Sequence, residues 1–217
     1  MAISVHEYSC VLQANSHNPT IVNIDWLRLN EIVPRSWELA QPPIITPPFT
    51  QLAFDRGINL VLQEQKLVVT AQSEQEGAIL EAAEIVNQYA RTLPHIPFQA
   101  VGNNFKGVVE VEDANKVLLE LAGGNFDFDA PAYVVGFQVV YHDVNNSLRT
   151  ISINAGSGFK QKAQDQEPIR VELLLFDANY HRDASSAPAV EKAIACALDD
   201  LRDYKNYLEM FQRRVSR

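Results

Sequence analysis

Two pairs of acidic side chains could bind a divalent cation. Glu110 and Glu112 have the i, i+2 spacing that places two carboxylates on one face of a strand, and Asp127 and Asp129 repeat this spacing after a pair of glycines. Carboxylate oxygens are the ligands that Mg²⁺ prefers, and a bound cation can promote phosphoester hydrolysis. If the four carboxylates converge, the chain is a metal-assisted phosphoesterase or a nucleotide-binding enzyme. Solvated strand edges explain the same residues, so this enzyme is the alternative hypothesis.

Two further segments contain residue types that are used in catalysis. The triplet His181-Arg182-Asp183 resembles the catalytic loop of protein kinases, but Pro188 stands where that family has an asparagine. We therefore predict a polar loop before the last helix. Residues 154–160 contain two glycines and a lysine without the spacing of a phosphate loop, and they are predicted to form a flexible hairpin connection.

The histidines and cysteines do not form a recognisable site. None of the five histidines has a partner at the i, i+4 spacing of a helical zinc site. Cys10 and Cys196 lie in no Cys-x-x-Cys motif, so buried free thiols are expected. The sequence assigns no catalytic residue. No cofactor is expected, apart from the divalent cation of the alternative hypothesis.

The charge of the chain makes nucleic acid an unlikely partner. The formal net charge is −9, and the basic residues are scattered except at the end of the chain. Arg213, Arg214 and Arg217 follow a helical pattern there, which is typical of a solvated helix terminus. No segment has the pattern of a signal peptide or a membrane span, so we expect no membrane association and a cytoplasmic location.

The hydrophobic periodicity predicts an α+β fold with an antiparallel sheet. Alternating apolar residues predict strands at residues 3–12, 51–54, 58–63, 67–71, 98–111, 133–141 and 169–176, with a further strand through Ile151 and Ile153. Val22, Ile24 and Trp26 also alternate and predict a strand. Helical spacing predicts three helices: one over residues 79–93 after a Ser73/Glu76 capping box, a short one after Asp113, and a long amphipathic one from Ser186 to Gln212.

The order of these elements indicates a single domain over residues 1–217. Each half has three strands followed by an amphipathic helix, which is consistent with a duplicated β-β-β-α unit. The corresponding halves would be residues 1–125 and 126–217.

A proline-rich connector is the main candidate for an interface. Five of the eleven prolines lie between residues 33 and 50, and the apolar side chains among them must pack on the chain's own sheet or on a partner. The leading hypothesis is a non-enzymatic binding or assembly subunit that contacts a protein partner or itself and forms a homo-oligomer. A small-ligand carrier with an apolar cavity under the last helix is the second alternative. The predicted interface residues are Trp37, Leu39, Ile44, Phe49, Tyr207 and Phe211.

Overall fold

The computed structural model describes residues 3–123, 136–160 and 168–215, so Asp127, Asp129 and Tyr133 lie outside the described residues. The strands are β1 (Ile3–Ala14), β2 (Ile44–Ile45), β3 (Phe49–Ala53), β4 (Ile58–Gln63), β5 (Lys66–Ala71), β6 (Phe98–Val111), β7 (Gly136–Val144), β8 (Ser147–Lys160) and β9 (Ile169–Asp183). The helices are α1 (Ile24–Leu29), α2 (Glu76–Thr92), α3 (Ala114–Leu121), α4 (Ala187–Ile194) and α5 (Ala197–Val215). The predicted α+β class is confirmed.

All the strands join one nine-stranded sheet in the order β2-β3-β4-β5-β1-β6-β9-β8-β7. Every pair is antiparallel. Strands β5, β4 and β3 follow outward from β1, and strands β9, β8 and β7 follow outward from β6. Each of these groups of three is an antiparallel meander whose last strand lies next to the central pair. Apart from the two-residue β2, the order strand, short helix, three strands, long helical segment occurs twice in the described chain, over β1 to α2 and over β6 to α5. This order contains the predicted β-β-β-α unit and adds one strand and one short helix before it.

The helices cover one face of this sheet. Strand β4 shows the pattern, because Ile58, Leu60 and Leu62 are buried toward the helices while the residues between them are half-buried. Helices α2, α4 and α5 pack along the central strands, and α3 packs on β8 and β9. In the parts of the chain that the structure describes, no helix packs on the opposite face. That face consists of half-buried and exposed side chains.

Helix α5 lies close to the sheet at Gly107. A Cβ atom at this position would lie 2.8 Å from the Tyr204 hydroxyl oxygen and 3.1 Å from Leu208 Cδ1. The Tyr204 hydroxyl donates to the Phe176 carbonyl at 2.9 Å, and its ring stacks on Phe105 at a centroid distance of 5.7 Å. The missing side chain of the glycine therefore allows the helix and the sheet to touch.

Two local predictions near the amino end are wrong. Val22, Ile24 and Trp26 do not form a strand, because Asn23 accepts a hydrogen bond from the Trp26 amide at 2.9 Å and caps helix α1. Asparagine favours this N-cap position strongly enough to outweigh a short alternating pattern. The Ser73 capping box also does not form, since the N-cap of α2 is Gln75.

The two predicted polar loops in the second half belong to long strands. Residues 154–160 continue β8, and Leu175 and Leu173 of β9 lie over Gly156 and Gly158, respectively. His181, Arg182 and Asp183 complete β9, because a buried ion pair places the Arg182 side chain beneath α5. Contacts with residues far apart in sequence therefore determine that both segments form strands and not loops.

The predicted long C-terminal helix is present as α4 and α5. Ser186 caps α4 by accepting from the Ala189 amide at 3.4 Å, and Pro188 occupies the first turn. A turn at residues 195–196 separates the two helices. Buried residues then recur along α5 at helical spacing, as the pattern predicted.

The proline-rich connector packs on its own sheet through Trp37. The Trp37 ring is 6% exposed, meets Phe54 edge-on at 5.2 Å, and is covered by the Arg56 guanidinium at 5.2 Å from the ring centroid. Backbone hydrogen bonds from Ala40 and Asp55 also join the connector to the end of β3. Of the two surfaces that the sequence left open for this residue, the chain's own sheet is the one observed.

Replacing Trp37 by alanine should lower the free energy of unfolding by about 3 kcal/mol, because the variant leaves a cavity beside Phe54. Urea denaturation measures this loss. Arg35→Ala, at an exposed position of the same connector, is the control and should change stability by less than about 0.5 kcal/mol. Equal stability of the Trp37 variant and this control would contradict the packing.

A buried histidine couples folding to pH. His17 is 4% exposed, and its Nδ1 lies 3.0 Å from the Tyr89 hydroxyl oxygen. Burial lowers the pKa of His17 below its ordinary value of 6.5. The unfolded chain therefore binds the proton more readily, and stability is lost as the pH falls below about 6.5 toward the folded pKa.

Between pH 7 and pH 5 the natural chain should lose unfolding free energy more steeply than a His17→Gln variant. The difference in slope should approach but not exceed about 1.4 kcal/mol per pH unit. Denaturant titrations at several pH values measure both slopes. Parallel profiles for the His17 variant and the natural chain would contradict the assignment.

Candidate assembly surface

The two outer edges of the sheet have opposite character. Strand β2 forms one edge, is two residues long, and lies between Pro42-Pro43 and Pro47-Pro48. Ile44 and Ile45 are 44% and 43% exposed there. Proline cannot donate to a neighbouring strand, so this edge is closed to further pairing.

Strand β7 forms the other edge and is not flanked by prolines within the described residues. Its register with β8 shifts between Tyr141 and Val144, where Asp143 has a φ of 59°, so the regular part of this edge is Gly136–Tyr141. The nine residues of β7 include no proline and no lysine. In the described ranges β7 pairs with β8 alone, so its outer backbone groups have no strand partner there. Val140, near the middle of the strand, is 48% exposed. A long apolar edge of this kind is a template for another strand.

Apolar side chains of β9 lie on the uncovered face of the sheet. Leu175 of β9 is 36% exposed, and a Cβ atom at Gly156 would lie 2.9 Å from its Cδ1. Leu173 has the same relation to Gly158, at 3.1 Å. The two leucines therefore lie across β8 beside its glycines, whereas nearer the described part of β7 the same face carries polar groups such as Gln138, which donates to Ser152 at 3.1 Å.

On the face covered by the helices, aromatic and charged side chains connect α5 to β7 and β8. The Arg149 guanidinium of β8 lies 4.2 Å from the ring centroid of Tyr141 and 5.3 Å from that of Tyr207. The two tyrosine rings meet edge-on at 6.1 Å. Arg149 also forms an ion pair with Asp203 of α5. Burial opposes the charge on Arg149, but the hydrogen bond and charge of Asp203 raise its pKa, so the guanidinium stays charged.

A buried ion pair fixes the β7–β8 turn to the same helix. Arg182 of β9 donates two hydrogen bonds of 2.7 Å to the Asp200 carboxylate of α5, and a third of 2.9 Å to the Asn145 carbonyl in the turn. Asn103 donates to Asp200 at 2.9 Å and accepts from the Tyr8 hydroxyl at 3.0 Å. Five parts of the chain, β1, β6, the β7–β8 turn, β9 and α5, are therefore held in one geometry.

This network is the most concentrated polar cluster on the covered face, and it is structural. Asp200 is 0% and Arg182 is 8% exposed, and the hydrogen bonds described for them go to partners within the chain. Burial disfavours the charge on Arg182, yet Asp200 raises the pKa of its guanidinium. The Arg182 guanidinium therefore stays charged beneath α5.

The predicted interface residues lie in two separate places. Trp37, Leu39, Ile44 and Phe49 belong to the β2–β3 end of the sheet, whereas Tyr207 and Phe211 lie on α5 near β7 to β9. Trp37 and Phe211 are buried, Leu39, Phe49 and Tyr207 are half-buried, and Ile44 is exposed. The second group contacts the end of the sheet whose edge is open. Their part in an interface remains a prediction.

Two of the four predicted metal ligands are described. Glu110 accepts a hydrogen bond from Lys160 Nζ at 2.9 Å, which lowers the pKa of its carboxyl group. Glu112 is exposed in a bend after β6. Within residues 3–123, 136–160 and 168–215, no group of three or more His, Cys, Asp or Glu side chains could hold a metal ion. The convergence of the four carboxylates is thus not tested, and the enzyme remains an alternative.

Aromatic rings occupy the position of the predicted carrier cavity. Phe105 stacks on Tyr204 and meets Tyr180 edge-on at 5.8 Å beneath α5. A cleft of about 900 Å³ lies elsewhere, between the β7–β8 turn and α4. Its lining includes Lys192 and Cys196 together with Asp143 and Asp183, so it favours neither an anion nor a cation.

Comparison with known proteins leaves the chain without an assigned family. No protein-family model matches the sequence, and no curated protein matches it. Among the residues that the structure describes, no helix has the length and apolar character needed to cross a bilayer.

Proposed function

We propose that this chain is a non-enzymatic assembly subunit that acts through protein contacts with further copies of itself. The observation that carries the proposal is the open edge strand β7 at the end of a sheet whose opposite edge is closed by prolines. Monomeric proteins protect long apolar edges, because unprotected edges pair with other chains. An unprotected edge therefore favours association.

The uncovered face supports the same role by its size. Nine strands at about 4.8 Å spacing span about 38 Å, and the fourteen residues of β6 extend for about 45 Å. A stable protein interface uses about 800 Å² on each partner. The face therefore offers ample area beside the open edge for contact with another protein.

The use of polar residues also favours binding over catalysis. Arg182, Asp200 and Asn103 bond to one another beneath α5 and hold the fold together. On the uncovered face, Lys106 pairs with Glu7 at 2.8 Å, and Asn179 donates to Asn104 at 2.6 Å. These groups satisfy one another, as is typical of a structural surface.

The mass of the natural chain in solution tests this function. Light scattering at increasing concentrations, from about 1 to several hundred micromolar, should give a mass that rises above the 24.3 kDa of one chain. A constant mass of 24.3 kDa over the whole range would contradict self-assembly. Circular dichroism of the same samples checks that the chain is folded.

A further inference from the structure

We infer that two copies associate by antiparallel pairing of their β7 strands about a two-fold axis, which joins their sheets into one continuous sheet. The inference rests on the proposed function and names its surface and its partner, a second copy of this chain. The partner is the same strand because an antiparallel pair of identical strands is self-complementary under two-fold symmetry.

The choice of edge follows from the contrast between β2 and β7. Pairing at β2 could involve two residues only before the flanking prolines remove the donors. Pairing at β7 can use the six residues Gly136–Tyr141 that precede the register shift, several of which are β-branched or aromatic. The backbone groups on its outer side gain hydrogen bonds from a second strand.

The charges of β7 permit this pairing. If the axis passes near Val139, the midpoint of Phe137–Tyr141, Gln138 lies opposite Val140 of the other copy, and Phe137 lies opposite Tyr141. No two like charges then face each other, and like charges directly opposite would be destabilising. The two apolar Val140 side chains lie diagonally across the axis.

The edge is held rigidly before association. Tyr141 is fixed by Arg149 and Tyr207, and the turn that follows β7 is fixed by the bond from Arg182 to the Asn145 carbonyl. A surface that is already ordered loses less conformational entropy on binding. The predicted interface residue Tyr207 therefore acts as a support behind the strand.

The contact area sets the expected strength. Six residues at about 3.4 Å per residue form an edge about 20 Å long, and a sheet is about 10 Å thick, so about 200 Å² of each copy is involved. This area is well below the roughly 800 Å² per partner of a stable complex. We therefore expect a reversible dimer with a Kd in the micromolar range.

The test compares substitutions at the two edges. Val140→Lys places a charge diagonally across the axis from its symmetry mate and should weaken dimerisation at least tenfold in sedimentation or light scattering. Val140→Thr keeps the β-branched shape and should leave the Kd within about threefold. Ile45→Lys introduces the same charge at the other edge, where the exposed fraction of 43% nearly matches the 48% of Val140. It should leave the Kd unchanged.

The outcomes separate this inference from the proposed function. If the natural chain associates and Val140→Lys leaves its Kd unchanged, the β7 pairing is wrong while assembly stands. If Ile45→Lys dissociates the dimer instead, the proline-rich connector is the interface. If the natural chain is monomeric at every concentration, both proposals fail. Circular dichroism and unfolding curves confirm that each variant folds, which is expected because both positions are exposed.

Discussion

Asp200→Ala should lower the free energy of unfolding by about 3–5 kcal/mol, one of the two largest losses expected for a single substitution in this chain. The carboxylate is completely buried and accepts two hydrogen bonds from Arg182 and one from Asn103. Its removal leaves a buried guanidinium without a counter-charge. Urea denaturation followed by circular dichroism measures the loss.

The matched control removes both charges together. Arg182→Met combined with Asp200→Leu replaces the ion pair by apolar groups of similar length, and such replacements cost far less than removing one partner. The double variant should be clearly more stable than Asp200→Ala. If the single and double variants lose the same free energy, the ion pair is not what stabilises this region. Asp199→Ala, at an exposed neighbour, should change stability by less than about 0.5 kcal/mol.

Tyr204→Ala should cost about 3–5 kcal/mol, because the ring is fully buried and stacks on Phe105. Tyr204→Phe keeps the ring and removes only the hydroxyl that donates to the Phe176 carbonyl, so it should cost about 1–3 kcal/mol. The ratio of the two losses separates ring packing from hydrogen bonding. Both follow from the same unfolding measurement.

Gly107 provides an independent check of this contact. A methyl group at residue 107 would lie within 3.1 Å of both Tyr204 and Leu208, so Gly107→Ala should destabilise the chain by about 1–3 kcal/mol. In the Tyr204→Ala background the added methyl group finds space, and its cost should fall. Strictly additive losses would contradict the close approach of α5 to the sheet.

Local periodicity was sufficient to predict most elements. Alternation in β4 and β5 and helical spacing in α2 each arise from residues that face one core, so the pattern is visible within a short window. Asp113 likewise caps α3 through a bond to the Lys116 amide at 2.8 Å. Signals of this kind need no information from distant residues.

The two errors in the second half lie where distant residues decide the conformation. The segments 154–160 and 181–183 are polar or rich in glycine, and each reads locally as a loop. They are strands because β9 pairs with β6 and β8 along its length and because Asp200, in a later helix, binds Arg182. A window of ten residues contains none of these partners.

The candidate surface was only partly visible in the sequence. The prolines around Ile44 led to the prediction of an interface there. In the sheet, these prolines flank the edge strand β2 and limit its pairing. The run from Phe137 to Tyr141 was recognised as a strand, but its position at the end of the sheet depends on topology. The available signal was the contrast between an edge with four prolines and a strand with none.

Hydrogen exchange at the backbone amides of β7 tests the pairing most directly. At a concentration well above the Kd, alternate amides of Gly136–Tyr141 should be protected in addition to those bonded to β8, and dilution or the Val140→Lys substitution should remove this extra protection. If the same β7 amides exchange at equal rates in concentrated, dilute and Val140→Lys samples, two β7 strands do not pair and the edge remains open in solution.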